Sequence, residues 1–182
     1  MKFCSICGTS VSWVIPADDN RERHVCDNVS CSAIHYQNPR IITGCLPTLG
    51  KRVLLCKRAI EPKYGYWTLP AGFLENGETI EQGALRESWE EAKANLQTTS
   101  LYTLFDLPHI NQVYFFYKAE LADEEFGAGQ ESLDVRLFTE DEIPWQELAF
   151  PVVEETLKYY FEDRKKQEFI FRSQVLSRSH RI

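Results

Sequence analysis

The sequence predicts an α/β domain, a sheet covered on both faces by helices, preceded by a small module too short to build a core of its own. Three observations predict it. From residue 40 onward, strand-like runs interleave with two long helical stretches. Four of the six cysteines fall in two pairs within the first 31 residues. A length of 182 residues suits one ordinary domain plus a small module, and a hydrophobic content of 43% supplies its core.

The first pair, Cys4 and Cys7, encloses two residues; Cys26 and Cys31 follow after 18 more and enclose four. In a reducing compartment such pairs point to zinc rather than to disulfides. Four thiolates at about 2.3 Å satisfy tetrahedral Zn²⁺ and cross-link a segment that cannot fold around apolar residues. Residues 1–37 are therefore expected to form a zinc ribbon, with His24 as the substitute ligand if one cysteine does not serve. Cys45 and Cys56 sit in apolar, strand-like sequence and read as small buried hydrophobes. Residues 34–39 are the exit and linker, where Pro39 restricts Asn38 to extended conformations.

Residues 41–49 and 53–57 read as β-runs joined by a hairpin turn at Gly50-Lys51. Residues 64–72 are a short strand ending in a Pro/Gly loop. Thr79 caps the first long helix, and Gln82 completes a capping box. Residues 101–107, 112–121 and 133–139 are further strands, and residues 141–144 a turn of helix. Val153, Leu157, Tyr160 and Phe161 recur at helical spacing across residues 150–164. Residues 167–182 turn basic and form an edge strand or a loose tail. The organisation expected is a cysteine module over residues 1–37, the main domain over 38–166 and the tail over 167–182.

The formal net charge of −7 counts against a nucleic-acid binder, whose affinity rests on Lys and Arg neutralising phosphates. It permits a phosphate-bearing small substrate, because bound metal reverses the local sign. No run approaches the roughly 18 apolar residues of a membrane span. The opening MKFCSICG lacks the charged region and apolar run of a signal peptide, so a soluble, cytoplasmic protein is the expectation.

The segment most informative about function is Arg86-Glu87-Ser88-Trp89-Glu90-Glu91. Glu87, Glu90 and Glu91 stand at i, i+3 and i+4, so their carboxylates project from neighbouring points of one helix face. Like charges so placed weaken an isolated helix. Two readings account for them: a cradle for hard divalent cations, or a solvated acidic face. The context tilts the balance. Gly72 precedes Glu78 by six residues, and Arg86 follows eight residues after that.

This spacing resembles the Nudix box, G-x5-E-x7-R-E-U-x-E-E-x-G-U with U aliphatic, of the Nudix hydrolases. Ser88, Lys93 and Ala94 depart from the pattern, standing where an aliphatic residue, the closing glycine and a larger apolar residue are usual. Asn95 is a substitute cap for the missing glycine. The resemblance extends to Asn38-Pro39, to Leu54-Leu55-Cys56-Lys57-Arg58, to residues 67–72, to Glu142-Ile143-Pro144, and to the cysteine module ahead of the domain. Together these look like the zinc-ribbon Nudix branch that includes the plant FAD pyrophosphatase. The Ser-Gln-Pro-Trp-Pro-Phe-Pro-x-Ser signature of the related NADH pyrophosphatases is missing; residues 106–112 occupy the comparable region.

The resemblance implies a mixed-sheet α/β/α sandwich that hydrolyses a nucleoside diphosphate linked to another moiety, with FAD or ADP-ribose favoured. Glu87, Glu90 and Glu91 would hold Mg²⁺ or Mn²⁺, with a backbone carbonyl near Gly72 as a further ligand. Arg86 would bridge carboxylates such as Glu78 or Glu90; its plainer role is an ordinary i,i+4 pair with Glu90. Glu131, in a loop before a strand, is the candidate for an extra ligand or the general base; a solvated loop acid is the alternative. Arg58 and Gln112 are candidate substrate contacts. Tyr64, Tyr66 and Trp67 offer stacking surfaces if they are not core, and His109 lies beside Gln112. A homodimer is a further implication of the resemblance. The alternatives are NAD(H) hydrolysis, or a non-catalytic zinc-ribbon protein that binds nucleotide or RNA.

Overall fold

The computed structural model describes residues 1–177, which fall into two compact units, Met1–Pro39 and the chain from Arg40 onward. The first unit is a three-stranded antiparallel sheet, β1 (Val11–Val14), β2 (Arg23–Cys26) and β3 (Ile34–His35), in the order β1-β2-β3. Its buried hydrophobic residues are Cys4 and Cys26, while Phe3, Ile6 and Trp13 are exposed. A unit this short of buried apolar surface needs another source of stability.

The second unit carries the remaining strands. They are β4 (Arg40–Leu49), β5 (Arg52–Arg58), β6 (Trp67–Thr68), β7 (Ala71–Phe73), β8 (Leu96–Leu107), β9 (Gln112–Leu121), β10 (Ser132–Phe138) and β11 (Arg172–Val175). The sheet runs β10-β5-β4-β9-β8-β11, with β6 paired to β5 and β7 to β4. It is mixed: β4 lies parallel to β9 and β11 parallel to β8, the other pairs being antiparallel. Two helices, α1 (Ile80–Ala92) and α2 (Pro151–Lys166), cover its faces.

Alternation along the strands divides the core. Leu46, Val53 and Leu55 point to the α2 side, where they pack with Phe105, Phe116, Val153 and Leu157. Cys45, Leu54 and Cys56 point to the α1 side, against Ala84, Ala92 and Val135. Both cysteines are fully buried, as expected of small hydrophobes. The α1 face is built from small residues, which lets the helix sit close to the sheet.

Most predicted elements recur with shifted ends. Thr79 caps α1 and forms the capping box with Gln82. Residues 64–72 do not make one strand: β6 and β7 are separate pieces with Leu69-Pro70 between them, and they pair with different neighbours. β8 begins at Leu96 rather than near residue 101, because its polar first half pairs with the end of β9. Lys93 itself ends α1 in the left-handed region, at φ 51°, in place of the expected cap at Asn95. Its backbone N–H reaches the carbonyls of Ser88 and Trp89, and the conformation costs a residue with a side chain about 1–2 kcal/mol.

The basic tail is anchored. Arg172 donates two hydrogen bonds to the buried Asp163 of α2, at 2.6 and 2.5 Å, and Tyr102 donates a third at 2.8 Å. Residues 172–175 thus form an edge strand, and Leu176 is buried behind it. The rest of the tail, residues 178–182, lies outside the described residues. Among the described residues no helix is long and apolar enough to cross a membrane.

Candidate active site

β4 and β5 pair only at their hairpin base, Thr48 with Val53 and Leu49 with Arg52. Beyond it they splay, and each takes a short strand as its new neighbour, β7 for β4 and β6 for β5. This opening holds a cleft of about 1030 Å³, at the upper end of the range usual for small-molecule sites. Its lining combines an acidic group, Glu87, Glu90, Glu91 and Glu131, with an apolar one, Leu107, Ile110, Phe116, Phe150 and Leu176.

Arg86 organises the acidic group. Its Nε and Nη2 donate to the two Glu78 carboxylate oxygens at 3.1 and 2.8 Å. Nη1 donates to Glu87 at 2.7 Å and to Glu90 at 3.0 Å, and Nη2 also donates to the Phe73 carbonyl at 3.1 Å. All five guanidinium N–H groups are thereby used. Arg86 is accordingly more than an i,i+4 partner of Glu90: it ties the 73–78 loop to α1. It holds the Glu78 carboxyl down at about 2.

Glu91 is 6% exposed and accepts the Ala71 backbone N–H at 3.1 Å. Burial pushes its carboxyl up to about 8, against the pull of that N–H, and the Glu87 charge adds to the rise. Burial also raises Glu87, with Arg86 opposing. Gly72 lies directly under the Glu87 carboxylate, where a Cβ would collide with it. The loop before β10 docks on the end of α1, with Gly127 and Gly129 N–H groups donating to the Ala92 and Glu91 carbonyls at 2.8 and 2.9 Å. A side chain at Gly129 would overlap the Glu90 carbonyl. This docking satisfies carbonyls that a helix end leaves open. It also carries Glu131 to the cleft, close enough to raise both Glu87 and Glu91.

Glu87, Glu90 and Glu91 offer the cleft oxygen donors, the kind that hard divalent cations take. Burial and neighbouring carboxylates hold Glu87 and Glu91 above their ordinary range, a charge that a cation would neutralise. In donor chemistry these residues suit such an ion, although among the described residues only the four cysteines bring their ligand atoms within 4.8 Å of one another.

Arg58 ends β5, 9% exposed, with Nε donating to the Pro62 carbonyl at 2.9 Å and its guanidinium 5.1 Å from the centre of the Phe150 ring. Gln112 lines the cleft and accepts the Tyr114 hydroxyl at 3.1 Å. His109 lines it too, whereas Trp67 belongs to the core and Tyr64 and Tyr66 are exposed away from the lining. Tyr114 and Phe150 were not foreseen. Tyr114 was legible as the residue two beyond Gln112 on the same strand face.

In the first unit the Sγ atoms of Cys4, Cys7, Cys26 and Cys31 lie within 4.8 Å of one another. Cys4 and Cys31 are 3.9 Å apart, and Cys7 and Cys26 3.4 Å. A tetrahedral site with about 2.3 Å Zn–S bonds has edges of roughly 3.8 Å, so four thiolates so placed fit zinc. His24 stays outside the group, its ring edge-on to Trp13. His35, unforeseen, sets its Nε2 3.3 Å from Cys4 Sγ, which suits an outer hydrogen bond to a thiolate.

Residues 38–167 match the NUDIX domain family, and residues 2–37 match the Nudix N-terminal zinc-ribbon family. A crystal structure of a NUDIX hydrolase from Nitrosomonas europaea superposes with a TM-score of 0.92 at 50% identity, over 97% of this chain and 99% of that one. An ADP-ribose pyrophosphatase from Methanocaldococcus jannaschii is 28% identical over 121 residues, 63% of this chain and 69% of that protein. A NAD-capped RNA hydrolase, NudC, from Mannheimia succiniciproducens is 30% identical over 188 aligned positions, 91% of this chain and 64% of that protein. The chain spans between 31% and 64% of the length of the NudC relatives it matches.

Proposed function

The chain belongs to the Nudix hydrolase family, and from that premise we propose that it cleaves the pyrophosphate bond of a nucleoside diphosphate linked to another moiety, FAD or ADP-ribose being favoured. FAD would give FMN and AMP. The observation that supports the reading is that Glu87, Glu90 and Glu91 all line one nucleotide-sized cleft, with Arg86 hydrogen-bonded to the first two.

In this reading Glu87, Glu90, Glu91 and the Gly72 carbonyl hold Mg²⁺ or Mn²⁺. When bound, the ion lowers the pKa of a water, offsets pyrophosphate charge and orients in-line displacement. Glu131 takes the water's proton or adds a ligand from the opposite loop. Arg86 keeps Glu87 and Glu90 at the orientation that metal binding needs. Arg58 and Gln112 contact the substrate, and the apolar part of the lining covers a ring system. The four cysteines hold zinc in a structural role.

NAD(H) hydrolysis is the second reading, favoured by the NudC relatives; the missing signature beyond the acidic helix stands against it. A panel of FAD, ADP-ribose, NADH and coenzyme A with Mg²⁺, products separated by chromatography, tests the proposal. AMP released preferentially from FAD or ADP-ribose is the expected result. Hydrolysis of none of the four would overturn it.

A further inference from the structure

The geometry points to Lys93 as a substrate-binding residue whose ammonium pairs with the diphosphate oxygens at the mouth of the cleft; this rests on the hydrolase reading and deepens it.

Lys93 is exposed and lines the cleft, as do Glu90, Gln130 and Glu131. It holds the left-handed backbone that glycine adopts freely, at φ 51° and ψ 24°. Strain of this kind, retained at the edge of a site, is a reason to look for a role of the side chain. Gln167 is the useful contrast. It ends α2 in the same conformation, at φ 56°, but its own Nε2 donates to the Arg164 carbonyl at 2.6 Å and so supports the cap. The Lys93 side chain gives its helix no such support. Its Nζ rests 5.5 Å from the centre of the exposed Trp89 ring, which is outside the cleft lining, and makes no ion pair among the described residues, so it has to swing from that ring to meet a ligand.

Of the guanidinium groups lining the cleft, Arg86 is fully committed and Arg58 in part. Arg86 has given all five N–H groups to Glu78, Glu87, Glu90 and the Phe73 carbonyl. Arg58 has given its Nε to the Pro62 carbonyl and packs on Phe150. Lys93 therefore brings an ammonium with three donors and no ion pair to a cleft whose lining also carries Glu90 and Glu131. An incoming diphosphate meets those carboxylates first, and Lys93 offsets their repulsion. A cap residue alone would do none of this.

The test compares Lys93→Gly, Lys93→Gln and Lys93→Arg with wild type, using Mg²⁺ and whichever of FAD or ADP-ribose wild type hydrolyses. Lys93→Gly is expected to raise Tm by roughly 2–4 °C as the strain is relieved. It should also raise KM about 10-fold, as loss of a charged hydrogen bond does, with kcat nearly unchanged and KM less sensitive to salt. Lys93→Gln should raise KM without the gain in Tm, and Lys93→Arg should restore KM. Calorimetric binding of magnesium pyrophosphate carries the same comparison without turnover. A Lys93→Gly protein of higher Tm whose KM, salt dependence and pyrophosphate affinity match wild type would overturn the inference. A wild type that turns over nothing would instead remove the hydrolase reading.

Discussion

Replacing Arg86 with glutamine takes away the group that joins Glu78, Glu87, Glu90 and the Phe73 carbonyl. The magnitude follows from how sheltered each partner is. The Glu78 and Glu87 side chains are 16% and 12% exposed, whereas that of Glu90 is 55% exposed. The pair with Glu90 is worth little, as exposed pairs contribute about 0–1 kcal/mol. The hydrogen bond to the sheltered Glu87 carboxylate is worth about 1.5–3 kcal/mol before discounting for the partly exposed Arg86. A net loss of about 1–3 kcal/mol follows, which lowers Tm by roughly 2–12 °C in a chain of this size. The loss has a pH signature. Arg86 depresses the Glu78 carboxyl to about 2, below its unfolded value of about 4.3. A depressed carboxyl contributes stability that is present above the unfolded value and disappears as pH falls through the folded one. The gap between wild type and Arg86→Gln should therefore narrow between about pH 4 and pH 2. Scanning calorimetry across that range measures both. A Tm change under about 2 °C at neutral pH, or a gap that widens with acid, would refute the reasoning.

The remaining expectations concern the two proposed metal centres. Burial raises Glu91 to about 8, so without divalent cation the protein should lose stability as pH rises from about 4 through about 8. Glu91→Gln should flatten that dependence and raise Tm at alkaline pH while abolishing hydrolysis; parallel Tm–pH curves for the two proteins would contradict this. Because the cation must displace that proton, its affinity should climb with pH up to about 8, as calorimetric titration with Mn²⁺ would read. A strong zinc chelator should unfold residues 1–37 first, since their buried hydrophobic residues are the cysteines themselves. Limited proteolysis would then cut that segment and spare the chain from Arg40 on, and unchanged protease resistance would argue against zinc.

Local signals made much of this legible. The Thr79–Gln82 capping box is a contiguous pattern and appears as read. Gly72 is forced by a carboxylate lying on its backbone, and Gly129 by the Glu90 carbonyl. The first of these is visible as a spacing to Glu87, but nothing in the sequence around Gly129 marks the second. The α/β/α layering follows from alternation in β4 and β5, which the apolar runs already implied. What stayed hidden depends on partners far along the chain. The division of residues 64–72 into β6 and β7 is set by the splaying of β4 from β5. The polar first half of β8 is a strand because β9 pairs with it. His35 reaches Cys4 across the first unit, and Phe150 reaches Arg58 from the start of α2. Ordinary propensity placed the end of α1 at Asn95, yet Lys93 takes the strained position.

The most direct test is the Mg²⁺-dependent rate of AMP release from FAD and ADP-ribose by Glu87→Gln against wild type, with both proteins shown to be folded by calorimetry. If the acidic stripe of α1 holds the cation, the rate should fall by at least about 10²-fold. Equal rates would contradict the account.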